Sequence, residues 1–195
     1  MKKQVFDRED VLNAALSIMR EKGYTAVTAR AVAERTGCSV QPVYSMFEDM
    51  NGLMEALYGH ALKWVTSYNH QHAPAAPNAF SSNGRAHLRL AQDEPHLFSF
   101  LYMSPYLKAS TMGDLLSIAM QLGVTDEIMR RGNLDKATAR ELYLDMIVYT
   151  HGLASMLLAG AEFTNKELAA RMDSAFQAFT SQAGALKKAA PSENE

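Results

Sequence analysis

Apolar residues recur along almost the whole chain at helical spacing. Between Asp7 and Lys22 they fall at Val11, Leu12, Ala15, Leu16, Ile18 and Met19, one stripe of an amphipathic helix. Asp7 is placed to cap that helix, with Asp10 three residues on, and Gly23 is placed to end it. TARAVAERTG predicts a second helix from Thr28 that buries Ala29, Val32 and Ala33 and stops at Gly37. Ser39 can cap a third helix running to Met46 or Phe47, in which Pro42 is the third helical residue. A proline there marks a helix start, because first-turn amides have no intrahelical acceptor.

A fourth helix is expected from just after Asp49 to about Tyr68. QHAPAAPNAFSSNG, rich in Pro, Ala, Ser and Asn, reads as a loop. RAHLRLAQDE and PHLFSFLYM then predict two helices, with Pro95 opening the second and Pro105 closing it. TMGDLLSIAMQL continues as helix, Gly123 breaks the pattern, and Thr125 is expected to cap TDEIMRRG. Two long helices finish the chain, from Leu134 to about Gly160 and from Asn165 to about Lys187, before a polar tail. No run reads as a strand, so the fold class is all-α.

Helix, glycine turn, short capped helix is a helix-turn-helix pattern. Val43, Met46 and Phe47 would pack, leaving Val40, Gln41, Tyr44 and Ser45 towards the outside. Glutamine can make paired hydrogen bonds to adenine in the major groove, and valine can touch a thymine methyl. Tyrosine and serine hydroxyls and free helix N-terminal amides suit phosphate oxygens.

Charge gives this reading no help. Residues 1–50 hold Lys2, Lys3, Arg8, Arg20, Lys22, Arg30 and Arg35 against Asp7, Glu9, Asp10, Glu21, Glu34, Glu48 and Asp49, a balance of zero, and the whole chain carries −2. Only segregation of Lys2, Lys3 and Arg30 onto one face would make a basic surface. The pattern alone leaves a DNA reader and a plain bundle corner both open.

Other totals narrow the field. With 195 residues and 48% hydrophobic content the chain can build a real core. One cysteine, Cys38, rules out an internal disulfide framework and is expected to be a small buried residue of the turn. The charged start MKKQVFDREDV does not read as a signal peptide, and no apolar run reaches membrane-spanning length, so no membrane partner and a cytoplasmic location are expected. Nucleophile elbows, phosphate-cradling loops and HExxH patterns are missing. His70 and His72 have no carboxylate or cysteine company, so neither a metal nor a cofactor is expected. The rival reading is a helical-bundle enzyme or metal protein with a structural helix-turn-helix.

GYTAVTARAVAERTGCSVQPVYSMFEDMNGLMEAL resembles the N-terminal region of TetR-type transcriptional regulators, through Gly23-Tyr24, Thr28, Val32-Ala33, Gly37, Ser39, Tyr44, Phe47 and Leu53 in order. The resemblance implies a three-helix helix-turn-helix DNA-binding domain in residues 1–50. A helical ligand-binding and dimerisation domain in 51–188 and a tail at 189–195 would follow. It implies a homodimer reading double-stranded operator DNA and responding to a small apolar or amphipathic effector. Thr28 and Arg30 would contact the DNA backbone, Ser39, Val40, Gln41 and Pro42 would open the recognition helix, and Tyr44 would meet a phosphate. Three positions depart from the pattern: Met50 where a lysine is frequent, Met46 for a histidine or tyrosine, and Cys38 for a valine.

The remaining residues suggest two further sites. Trp64, Tyr68, Phe98, Tyr102, Met103, Leu116, Met120, Met146 and Tyr149 could wall an effector pocket, although the same composition makes an ordinary core. The twelve methionines fit either reading. ELYLDMIVYTHGLASMLLAG is apolar on nearly all sides and must be covered on all sides. Its expected cover is a second copy, through Tyr149, Gly152, Leu153, Met156 and Leu157 together with Met172, Phe176 and Phe179. His151 is expected to be a hydrogen-bonded structural histidine.

Overall fold

The computed structural model describes residues 6–71, 79–109, 111, 114 and 124–189. Every regular element among the described residues is helical. In chain order these are α1 (Arg8–Lys22), a short 3-10 turn (Tyr24–Ala26), α2 (Ala29–Thr36), α3 (Val40–Phe47), α4 (Met50–Gln71), α5 (Ala79–Asp93), α6 (Pro95–Met103), α7 (Val124–Gly132), α8 (Lys136–Leu158) and α9 (Asn165–Ala189). The all-α expectation holds, and none of the described helices is long and apolar enough to cross a membrane.

Local chemistry accounts for the ends. Asp7 Oδ1 accepts from the amides of Glu9 and Asp10, both at 2.8 Å, while Asp10 returns a bond to the Asp7 amide. Pro95 occupies the first turn of α6. Asp135 caps α8 through the Thr138 amide, so that helix starts two residues later than Leu134.

Two expectations fail here. Ala79 to Gly84 are helical, not part of a loop. The helix-breaking composition is overruled by packing: at Gly84 a side chain would meet Met172 of α9, so the bare backbone lets the two elements close up. Thr125 does not cap a helix, because α7 already includes Val124. Thr125 is buried, and its hydroxyl has no partner among the described residues. TMGDLLSIAMQL, Gly123, His72 and the end of the tail fall outside the described residues, apart from Thr111 and Asp114.

The chain forms two compact units. The first takes residues 1–72 and 93–108, the second 73–92 and 109–195. In the first, Val11, Met19, Val32, Leu53, Leu57 and Phe100 are almost wholly buried among α1, α2, α4 and α6. Arg20 secures this assembly. Its guanidinium lies 4.1 Å over the Trp64 ring and pairs through two nitrogens with Glu94. Trp64 in turn stacks on Tyr68 at 5.2 Å, and Tyr68 donates to Asp93.

In the second unit, Ile128, Leu134, Leu142, Tyr143 and Met146 form a core against which Phe176 and Phe179 pack. His87 of α5 lies 5.9 Å from His151 of α8, ring centre to ring centre. Burial, and then the neighbouring His151, push His87 down to about 3. An unfolded histidine takes up a proton near pH 6.5, which folded His87 refuses. Its contribution to stability is therefore whole above that pH and is lost progressively towards 3. The melting temperature should fall between pH 6.5 and 5, before carboxylates titrate. His87→Gln should flatten that fall, as scanning calorimetry at several pH values would show; an unchanged slope would contradict it.

Candidate nucleic-acid interface

The turn between α2 and α3 sets the site. Gly37 sits at φ +80° in the left-handed region, where its amide reaches the carbonyls of Ala33 and Glu34 and the Cys38 amide bonds to Ala33 at 2.9 Å. This doubly bonded ending closes α2 and turns the chain sharply, in a conformation that disfavours side chains with a Cβ. Two residues later α3 begins. Ser39 has the extended backbone of a capping residue but makes no side-chain capping bond, so the capping expectation holds for position and fails for chemistry. The α3 amides nearest Ser39 thus gain no partner from its hydroxyl.

On α3, Val43 and Phe47 are buried and Met46 is half-buried. Gln41 and Ser45 are exposed, Tyr44 keeps 44% of its surface, and Val40 and Pro42 are half-buried at the edge. The spacing of Val43 and Phe47 produces this division: i and i+4 lie on one face, so Gln41, Tyr44 and Ser45 are turned off it. Ser39, Thr28 and Arg30 are exposed too. Thr28 caps α2 by accepting from the Ala31 amide at 3.1 Å. Cys38 is half-buried, not fully enclosed.

Charge is distributed by pairing. Arg35 donates to Ser17 and to both carboxylate oxygens of Glu21, and the two Arg35 bonds, with one donated by the Ser17 hydroxyl, hold the Glu21 carboxyl at about 2. Arg20 is taken by Glu94. No salt bridge among the described residues involves Arg30. Lys2 and Lys3 lie outside them.

One contact had no sequence signal. Arg8, the first residue of α1, donates to the Met46 carbonyl at 2.8 Å and covers the Phe47 ring at 4.3 Å. The partners are 38 residues apart.

The residues suggested as a pocket wall divide between the units. Trp64 and Tyr68 are stacked in the first, and Phe98, wholly buried, touches Tyr102 at 4.8 Å. Met103 is exposed. Met146 and Tyr149 belong to the second, the former in its core and the latter edge-on to Phe179. Leu116 and Met120 fall outside the described residues. On α8 and α9, Leu153 and Met172 are buried, and Leu157 and Phe176 half-buried. Val148 and Met156 are each 53% exposed, and the space above Gly152 is open.

Residues 11–57 match the family model of bacterial regulatory proteins, tetR family. Two solved structures share the fold. One is the multidrug binding protein EbrR complexed with imidazole (18% identity, TM-score 0.54, covering 88% of this chain and 96% of that one). The other is a variant of TetR from Acinetobacter baumannii AYE in complex with minocycline (15%, 0.55, 93% and 98%). Curated proteins give no significant match.

The join from α3 to α4 is a close approach. A Cβ on Gly52 would lie 2.1 Å from the Phe47 carbonyl oxygen. Within a helix, Gly→Ala ordinarily stabilises by about 0.5–1 kcal/mol. Gly52→Ala should instead destabilise by about 1–3 kcal/mol, because backbone must move. Urea denaturation measures this, and a gain in stability would contradict it.

Proposed function

The chain carries the DNA-binding domain of the tetR family of bacterial regulatory proteins on an all-helical TetR-type fold, and on that premise we propose that it is a ligand-responsive repressor binding a palindromic operator as a homodimer. Its class is that of a DNA-binding transcriptional regulator, not an enzyme. The observation that carries the proposal is the division of α3: Val43 and Phe47 inward, Gln41, Tyr44 and Ser45 outward. A helix held by one face with its polar face clear can lie in a major groove. In this reading Gln41 and Val40 read base edges. Ser39, Pro42 and Ser45 line the approach, and Thr28, Arg30 and Tyr44 meet the phosphate backbone. In this reading the protein works in the cytoplasm, on double-stranded operator DNA.

Residues 1–50 would do the reading and 51–188 the sensing and pairing. The apolar strip Val148, Gly152 and Met156, at intervals of four along α8, supports pairing between copies, since an i, i+4, i+8 row presents one face to a symmetry mate. Tyr149, Leu157, Phe176 and Phe179, each half-buried, would complete that surface, whereas Leu153 and Met172, also expected there, are buried within the subunit and drop out of it. A small apolar or amphipathic effector, bound among Trp64, Tyr68, Tyr102 and their neighbours, would favour the conformer in which the two heads no longer match the operator. It shifts the population by its differential affinity for the two conformers.

Gln41→Ala should weaken operator binding and relax base preference at one position by about 1–3 kcal/mol. Tyr44→Phe should weaken binding evenly across sequences. Mobility-shift titration against base-substituted duplexes separates the two, and unchanged binding in both variants would remove this site. Met156→Glu should shift the protein from dimer to monomer in analytical ultracentrifugation, and a retained dimer would move the interface elsewhere.

A further inference from the structure

We infer that Arg8 is a positioning residue for DNA reading, acting through the carboxyl end of α3 and not through the DNA backbone. The inference rests on the assignment of α3 as the reading helix. An eight-residue helix has two turns and little stability of its own. Its amino end lacks a side-chain cap, and its carboxyl end leaves through Glu48 at φ +67°, a conformation costly for a residue with a side chain. Its direction must therefore be set by what it touches.

Val43 and Phe47 anchor one face, but two apolar contacts in line leave rotation about that line weakly specified. Arg8 supplies a contact off the line. Glu48 and Asp49 amides occupy the carbonyls of Tyr44 and Phe47, and the Met46 carbonyl is taken by Arg8. A guanidinium at the carboxyl end of a helix also opposes the partial negative charge there. The Arg8 guanidinium carbon lies over the Phe47 ring, 4.3 Å from the ring centre. The other end of this tie is fixed as well, because Arg8 follows directly on the Asp7 capping box. One side chain thus locks the last turn of α3 to the first turn of α1.

A tie and a phosphate contact predict different losses. Neutralising a phosphate contributes about −0.9 to the slope of log affinity against log salt. Removing a phosphate contact lowers affinity evenly and flattens that slope. Removing a tie leaves the slope alone and blurs the register of Gln41 against its base, so discrimination falls.

The test uses a duplex selected by the wild-type protein from random DNA, and a second duplex altered at the base that Gln41→Ala ceases to distinguish. Wild type, Arg8→Ala and Arg8→Lys are titrated on both by fluorescence anisotropy across a salt series, with thermal melts of each variant. Arg8→Ala should lose roughly five-fold in the ratio of the two affinities at an unchanged salt slope. Arg8→Lys, which keeps the charge but not the flat stacking face, should restore part of it. An even loss with a flatter slope, or no change in the ratio, overturns the inference. Amide hydrogen exchange of residues 44–48 in DNA-free protein gives a reading independent of the operator: protection there should fall in Arg8→Ala while α1 stays protected, and unchanged protection overturns the inference too. If the wild-type protein selects no sequence, the assignment of α3 fails instead, while the exchange result still decides the tie.

Discussion

Two buried side chains, Val43 and Phe47, bear the weight of the arrangement. An isolated helix of two turns does not persist in water, so its existence depends on apolar surface it can bury elsewhere. Burying every side would stabilise it most, but would leave nothing to present. The sequence VQPVYSMF resolves the conflict with Val43 and Phe47 four apart on the packed face and Gln41, Tyr44 and Ser45 off it. The left-handed Gly37 aims the helix, and the bare backbone of Gly52 lets the following helix approach its end.

The same logic of local weakness and distant support runs through the first unit. Arg20 of α1 is shared between the Trp64 ring of α4 and the Glu94 carboxylate beside α6, and Tyr68 reaches Asp93 next door. Residues 93–108 therefore cluster with the helix-turn-helix, together with α4. A perturbation of the Asp93–Glu94 junction has a short physical path to α1 and hence to the elements packed on it. In the second unit the close approach at Gly84 and the half-buried His87 beside His151 show another solution, with small size and neutrality permitting tight packing.

What could be read from sequence follows from how local each cause is. Gly23, Gly37, Pro95 and the Asp7–Asp10 box act over a few residues, and their positions were legible. The helical period of α1, α8 and α9 was equally plain. Ala79 to Gly84 misled because composition argued for a loop while packing against α9 made a helix. Thr125 misled because a good capping residue is also tolerated inside a helix. The outward set on α3 was legible from spacing alone, whereas Arg8 was not: its hydrogen-bond partner is 38 residues away and nothing in the pattern near position 8 points to it.

Selection of bound duplexes from random DNA tests the central claim most directly. Two copies of an outward α3, related by a two-fold axis, must enrich a palindrome whose half-sites lie about 10 base pairs apart or at a multiple of that spacing. A single asymmetric motif, or no enrichment at all, would contradict the account.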